Sequence, residues 1–143
     1  MFNNTLRKVL IVEDDGALRG ILKSLLGAGY DVAVAQDGVQ ALERIEFFRP
    51  ELMLLDLLLP KKNGFEVLEA VRKSSDPQIA NMSVLVFSNL NTAAEIAKAK
   101  ALKVDAYFLK STLDLQTIKN KIGEILKINP EEMEKSEVMD FTK

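Results

Sequence analysis

The chain has 143 residues, 48% hydrophobic and 28% charged, with a formal net charge of −2. That length fits one domain with a sizeable core, and the small net charge gives no reason to expect binding to nucleic acid or an anionic membrane. The absence of Cys and His excludes disulfides, zinc–thiolate sites, thiol catalysis and imidazole bases.

The opening, MFNNTLRKVLIVEDD, reaches acids too soon for a signal peptide. Within it, KVLIV (8–12) reads as a buried strand. Leu18, Ile21, Leu22, Leu25 and Leu26 then follow the spacing of one helix face, and Gly27 and Gly29 stop that helix. YDVAVA (30–35) alternates with period two, and Asp37 caps a helix carrying Val39, Leu42 and Ile45. Pro50 closes that segment, and ELMLLD (51–56) is the third strand. The surrounding apolar run is far short of the roughly 20 residues a membrane span needs and carries Asp56 in its middle. A soluble cytoplasmic protein is therefore expected.

Pro60 and Gly64 punctuate a loop before a helix with Phe65, Leu68 and Val71 on one face. SVLVFS (83–88) is the fourth strand, and TAAE (92–95) has capping-box spacing for an Ala-rich helix. AYFLK (106–110) is the fifth strand. Leu115, Ile118, Ile122, Ile125 and Leu126 line the last core-facing helix. From residue 129 the composition turns acidic and loses apolar periodicity, so residues 1–128 form the domain and 129–143 a tail. Asn129, Pro130 and Glu132 suit a helix start, leaving a short helix or a disordered end open for that tail.

Five strands, each followed by a helix, mean parallel βα units in an α/β sheet covered on both faces. Ligands of such sheets gather beyond the carboxyl ends of the strands. There the first strand delivers Glu13, Asp14 and Asp15, the third Asp56, the fourth Ser88 and the fifth Lys110. The acidic first loop would repel a phosphate held there directly, which argues against a dinucleotide or flavin site. Clustered carboxylates instead suit a hard divalent cation such as Mg²⁺, with Ser88 and Lys110 as donors across a phosphoryl group. Mutual repulsion among Glu13, Asp14 and Asp56 should raise their pKa values as a set.

LIVEDD, LLDLLLPKKNGFE, VLVFSN and AYFLK, in order from about residue 7 to 127, resemble the receiver domains of bacterial two-component response regulators, including the single-domain chemotaxis type. The resemblance implies a flavodoxin-like doubly wound sheet of order 2-1-3-4-5 and phosphorylation by a histidine kinase or phosphotransfer protein. It implies Asp56 as phosphoacceptor, Asp14 as direct Mg²⁺ ligand, Glu13 as a ligand through water and the Leu58 carbonyl as a third protein oxygen. Ser88 is then the switch hydroxyl, Lys110 the phosphate-binding cation and Tyr107 the switch aromatic, while Asp15 caps the first helix. The output surface would be the fourth helix, fifth strand and fifth helix. Little chain follows the last helix, so the expected output is a protein contact without nucleic-acid binding, unless the chain is a piece of a longer one.

Three departures from the family pattern stand out. Ser111 follows Lys110 where Pro after a cis bond is usual, and a trans bond is expected because cis before Ser costs roughly 3 kcal/mol. Asn89 follows Ser88 where Ala or Gly is usual; with Leu58 it would flank an acyl phosphate and slow the approach of water. Glu13 replaces a common Asp. A phosphorylation-independent interaction module of the same fold and a Mg²⁺-dependent aspartyl phosphatase are the rival readings. The phosphatase lacks its second acid, since Leu58 stands there.

Overall fold

The computed structural model describes residues 6–112 and 114–126. The expected tail, 129–143, lies outside the described residues. In chain order the elements are β1 (Lys8–Val12), α1 (Gly16–Gly27), β2 (Asp31–Ala35), α2 (Gly38–Phe48), β3 (Leu52–Leu55) and α3 (Gly64–Arg72). A single helical turn, Pro77–Ala80, precedes β4 (Ser83–Ser88), α4 (Ala93–Ala101), β5 (Ala106–Leu109), a 3₁₀ turn over Lys110–Thr112, and α5 (Leu115–Leu126). The strands form one parallel sheet of order β2-β1-β3-β4-β5, as the resemblance implies.

Alternation of side chains along each strand divides the core in two. Leu10, Val12, Met53, Leu55, Val84 and Val86 point to one face, where Ala41 and Ile45 of α2 and Val67, Leu68 and Val71 of α3 cover them. Val9, Ile11, Leu52, Leu54, Leu85 and Phe87 point to the other, against Leu22 and Leu26 of α1 and Ile118, Ile122 and Leu126 of α5. The three central strands are apolar apart from Lys8, Ser83 and Ser88 at the ends of β1 and β4, because they are covered on both faces. Two residues expected on core faces look outward instead: Ile21 and Val39 are exposed. Each sits at the margin of its helix's apolar stripe, where the turn geometry has already rotated past the sheet.

Helix boundaries follow from caps. Asp15 accepts from the Ala17 N–H, Asp37 from Gln40, and Thr92 pairs with Glu95 in a reciprocal capping box. Asn63 and Glu66 form a second box at the start of α3. Among the described residues no glycine ends a helix in a left-handed conformation: α1 stops with Ala28, Gly29 and Tyr30 all donating to the Leu26 carbonyl. Arg49, at φ 53°, takes the left-handed cap of α2 just ahead of Pro50. The Arg72 guanidinium closes the far edge, donating to the carbonyls of Ala80, Met82, Leu102 and Lys103 at 2.7–3.0 Å.

Two glycines place the loop after β3. A Cβ on Gly38 would lie 1.7 Å from the Lys62 carbonyl oxygen, and one on Gly64 would lie 2.6 Å from the Asp56 carbonyl oxygen. Only hydrogen at these positions lets the loop approach α2 and fold back on β3. Lys61 Nζ adds an ion pair at 3.5 Å to the buried Asp37 carboxylate.

The Gln40 N–H bond, aided by Lys61, holds the Asp37 carboxyl below its ordinary pKa despite the opposing pull of burial. A lowered folded pKa contributes stability above the unfolded value, near 4, and that contribution is lost as pH falls through the folded value. Asp37→Asn keeps an acceptor but no charge. Urea midpoints should therefore differ clearly near pH 7 and draw together as the pH falls below the unfolded value; a constant gap would show that charge is not what Asp37 supplies.

Candidate functional site

The carboxyl ends of β1, β3 and β5 bring four charged groups together. Glu13 follows β1 directly, with its N–H on the Ala35 carbonyl (3.0 Å), and Asp56 follows β3, with its N–H on Val12 (3.1 Å). Both side chains are buried, while Asp14 is exposed at the rim. One oxygen from each of these three carboxylates lies within 4.8 Å of the others. Lys110, just past β5, reaches over the Phe87 ring and sets Nζ 2.8 Å from Asp56 Oδ2 and 2.7 Å from Glu13 Oε1. The internal counter-ion of the acids is therefore a lysine.

The other oxygens of Glu13 and Asp56 each accept one backbone hydrogen bond. The Leu58 N–H donates to Asp56 Oδ1 at 3.0 Å, and the Asp15 N–H to Glu13 Oε2 at 2.9 Å. Arg19 binds the loop from behind, donating to the carbonyls of Glu13 and Asp14. Glu13 Oε1 accepts none. Its contact with Lys110 is close in distance but off the direction of a hydrogen bond, leaving a buried oxygen paired by charge alone.

Burial pushes the Glu13 carboxyl above its ordinary pKa, with a smaller upward push from the Asp56 charge, against the pull of Lys110 and the Asp15 N–H. Burial would lower the Lys110 ammonium, yet its contacts with Asp56 and Glu13 outweigh burial and raise it. The two directions agree on one picture. A single ammonium is firmly held by two carboxylates, and half of its charge does not repay Glu13 for the water it has lost. Counting Asp14, three carboxylates face one ammonium, a formal excess of two negative charges. An all-oxygen donor set with an orphaned buried oxygen and that excess fits a hard divalent cation, and the cluster is compatible with Mg²⁺.

Ser88 and Tyr107 lie beside this group. Ser88 Oγ, buried at the end of β4, accepts from the Leu90 N–H at 3.3 Å, and the Tyr107 hydroxyl donates to the Leu90 carbonyl. The two meet at one residue's backbone. Burial pushes the Tyr107 phenol up, and the charges of Glu95 and Asp56 act in the same direction. Asn89 turns its side-chain oxygen to the Ser111 N–H at 3.0 Å. Among the described residues no peptide bond is cis, so Lys110–Ser111 is trans as expected. Sequence reasoning missed Arg19, Leu90 and the Asn89–Ser111 contact. Only Arg19 left a trace, as a cation one turn into a helix that follows an acidic loop.

Residues 9–123 match the response regulator receiver domain. The chain belongs to that family. Regulator of RpoS from Escherichia coli (strain K12) is 37% identical over 117 residues, which are 81% of this chain and 34% of that protein. DNA-binding response regulator MtrA from Mycobacterium tuberculosis (strain ATCC 25618 / H37Rv) is 41% identical over 78 residues, 54% of this chain and 34% of that protein. This receiver domain thus spans about a third of the length of these curated relatives. The chemotaxis protein CheY4 of Vibrio cholerae has a structure with TM-score 0.76 at 27% identity, covering 85% of this chain and 100% of that one. A CheY-like receiver domain protein from Methanospirillum hungatei JF-1 gives 0.77 at 28%, covering 92% and 99%. No helix among the described residues is long and apolar enough to cross a membrane.

Removing the ammonium should expose the electrostatic debt of the site. Lys110→Met keeps most of the apolar stem but leaves Glu13 and Asp56 buried without a cation. With EDTA present the variant should unfold about 3 kcal/mol more easily, read from urea melts. A loss below about 0.5 kcal/mol would mean that water already neutralises the pair.

Proposed function

We propose that this receiver domain accepts a phosphoryl group on Asp56 from the phosphohistidine of a histidine kinase or phosphotransfer protein, in a Mg²⁺-dependent reaction. The observation that carries this reading is the pairing of buried Asp56 with Lys110 at 2.8 Å inside a three-carboxylate cluster. Asp14 and Asp56 would hold Mg²⁺ directly, Glu13 through water, and the Leu58 carbonyl would complete the protein oxygens. Bound there, Mg²⁺ supplies positive charge to the acids and to the incoming phosphoryl oxygens.

The chain's own residues do the rest. An Asp56 oxygen attacks phosphorus in line with the leaving imidazole. The O–P bond forms and the P–N bond breaks, its electron pair passing to the imidazole nitrogen. Asp56 ends as an acyl phosphate and the donor as free imidazole. Lys110 moves its contact from the Asp56 carboxylate to a phosphoryl oxygen, where the new charge lies. Ser88 exchanges the Leu90 N–H for the phosphoryl group, which frees the Leu90 backbone that Tyr107 also holds. The shift biases the surface of α4, β5 and α5 between two states, and a downstream protein reads it. The domain modifies only itself and turns over no external substrate.

Asp56→Asn should abolish Mg²⁺-dependent labelling by radiolabelled acetyl phosphate, because an amide is a poor nucleophile. Labelling at the parent's rate would remove Asp56 from its role. Metal binding has its own readout. MgCl₂ should raise the melting temperature of the parent by mass action and scarcely move that of Asp14→Ala; an equal rise in both would show that Asp14 is not a ligand.

A further inference from the structure

The ladder between β4 and β5 ends at the pair Ser88 and Leu109. One residue beyond it on one side is Asn89, and two beyond on the other is Ser111. Their contact, Ser111 N–H to Asn89 Oδ1 at 3.0 Å, continues the cross-strand connection with a side chain in place of a carbonyl. The two positions flank the chemistry directly, because Asn89 follows Ser88 and Ser111 follows Lys110.

We propose that Asn89 is a positioning residue: its amide oxygen latches the turn that carries Lys110 to the strand end that carries Ser88, so that the two donors act on a phosphoryl group as one unit. The proposal rests on the phosphoacceptor reading above and adds to it the group that aims Lys110.

Lys110 has a four-carbon stem with free rotation, so the position of its ammonium depends on how firmly its Cα is held. On the near side Leu109 is fixed by the ladder. On the far side Ser111 lies in an exposed 3₁₀ turn of three residues, a short structure with poorer bond geometry than an α-helix. The Asn89 oxygen supplies the missing anchor, and Lys110 is then held on both sides. The same bond couples the two strands' ends. When Ser88 shifts towards a phosphoryl oxygen, Asn89 moves with it and draws Ser111, and therefore Lys110, along. The two departures from the family pattern at 89 and 111 are thus one feature, since the contact needs both an acceptor on residue 89 and an N–H on residue 111. Proline at 111 would have no hydrogen to donate.

The latch has a structural and a chemical readout. By NMR hydrogen exchange, the Ser111 amide should be protected in the parent, unprotected in Asn89→Ala, and protected again in Asn89→Asp, which keeps the oxygen. With acetyl phosphate and saturating MgCl₂, Asn89→Ala should lower the maximal labelling rate roughly threefold to tenfold, the worth of one hydrogen bond, with little change in the KM. Asn89→Asp should recover most of that rate. A parent that takes no label would sink the phosphoacceptor reading and this one with it. If the parent is labelled, then equal rates in parent and Asn89→Ala, or an unprotected Ser111 amide in the parent, would overturn the latch alone.

Discussion

Two carboxylates out of reach of bulk water, Glu13 and Asp56, share one ammonium, and the arrangement of the strand ends serves that contact. β1 and β3 are neighbours, so their acids arrive side by side. β5 is separated from β3 by β4, and Lys110 must cross that strand to reach them. Phe87 provides the way across, its ring 5.5 Å beneath the ammonium, giving an apolar stem and a cation a surface that suits both. A shorter cationic side chain at 110 would fall short, and a parallel sheet of different order would bring different ends together.

This contact also leaves the site incompletely balanced. Lys110 meets one oxygen of Glu13 and one of Asp56, and its single charge does not balance the three carboxylates. A cluster balanced entirely by internal charge would be inert, and one with no internal charge would resist folding. The excess of two negative charges lies between those extremes. From there the path to the surface is short: Ser88 holds the N–H and Tyr107 the carbonyl of one residue, Leu90, so backbone atoms alone connect the buried hydroxyl to a half-buried aromatic ring.

Much of this was legible in the residues. The alternation of apolar runs with helical patterns led to five βα units, and Asp15, Asp37 and Thr92 marked helix starts because capping is local chemistry. The acids and Lys110 were found because strand ends are countable. What escaped was of two kinds. The Pro77–Ala80 turn is too short for any period, though Asp76 before Pro77 carries a cap signal. Contacts that join distant loops have no sequence signature at all. Asn89 read as bulk beside the acceptor, and its actual direction depends on where residue 111 lies, which only the folded sheet decides. Lys110 read as a phosphate ligand, and its place on the carboxylates depends on the same closure of the sheet.

Gly38 and Gly64 carry a consequence for how such a domain diversifies. They pin the backbone of the segment between Asp56 and α3 at both ends, by approaches that no side chain at 38 or 64 could allow. Between the pins, the Leu58 side chain is exposed. That side chain can change through mutation while the main chain stays in place. The exposed position is then open to change, whereas the two glycines are not free to vary, and an insertion or deletion in this stretch would break one approach or the other.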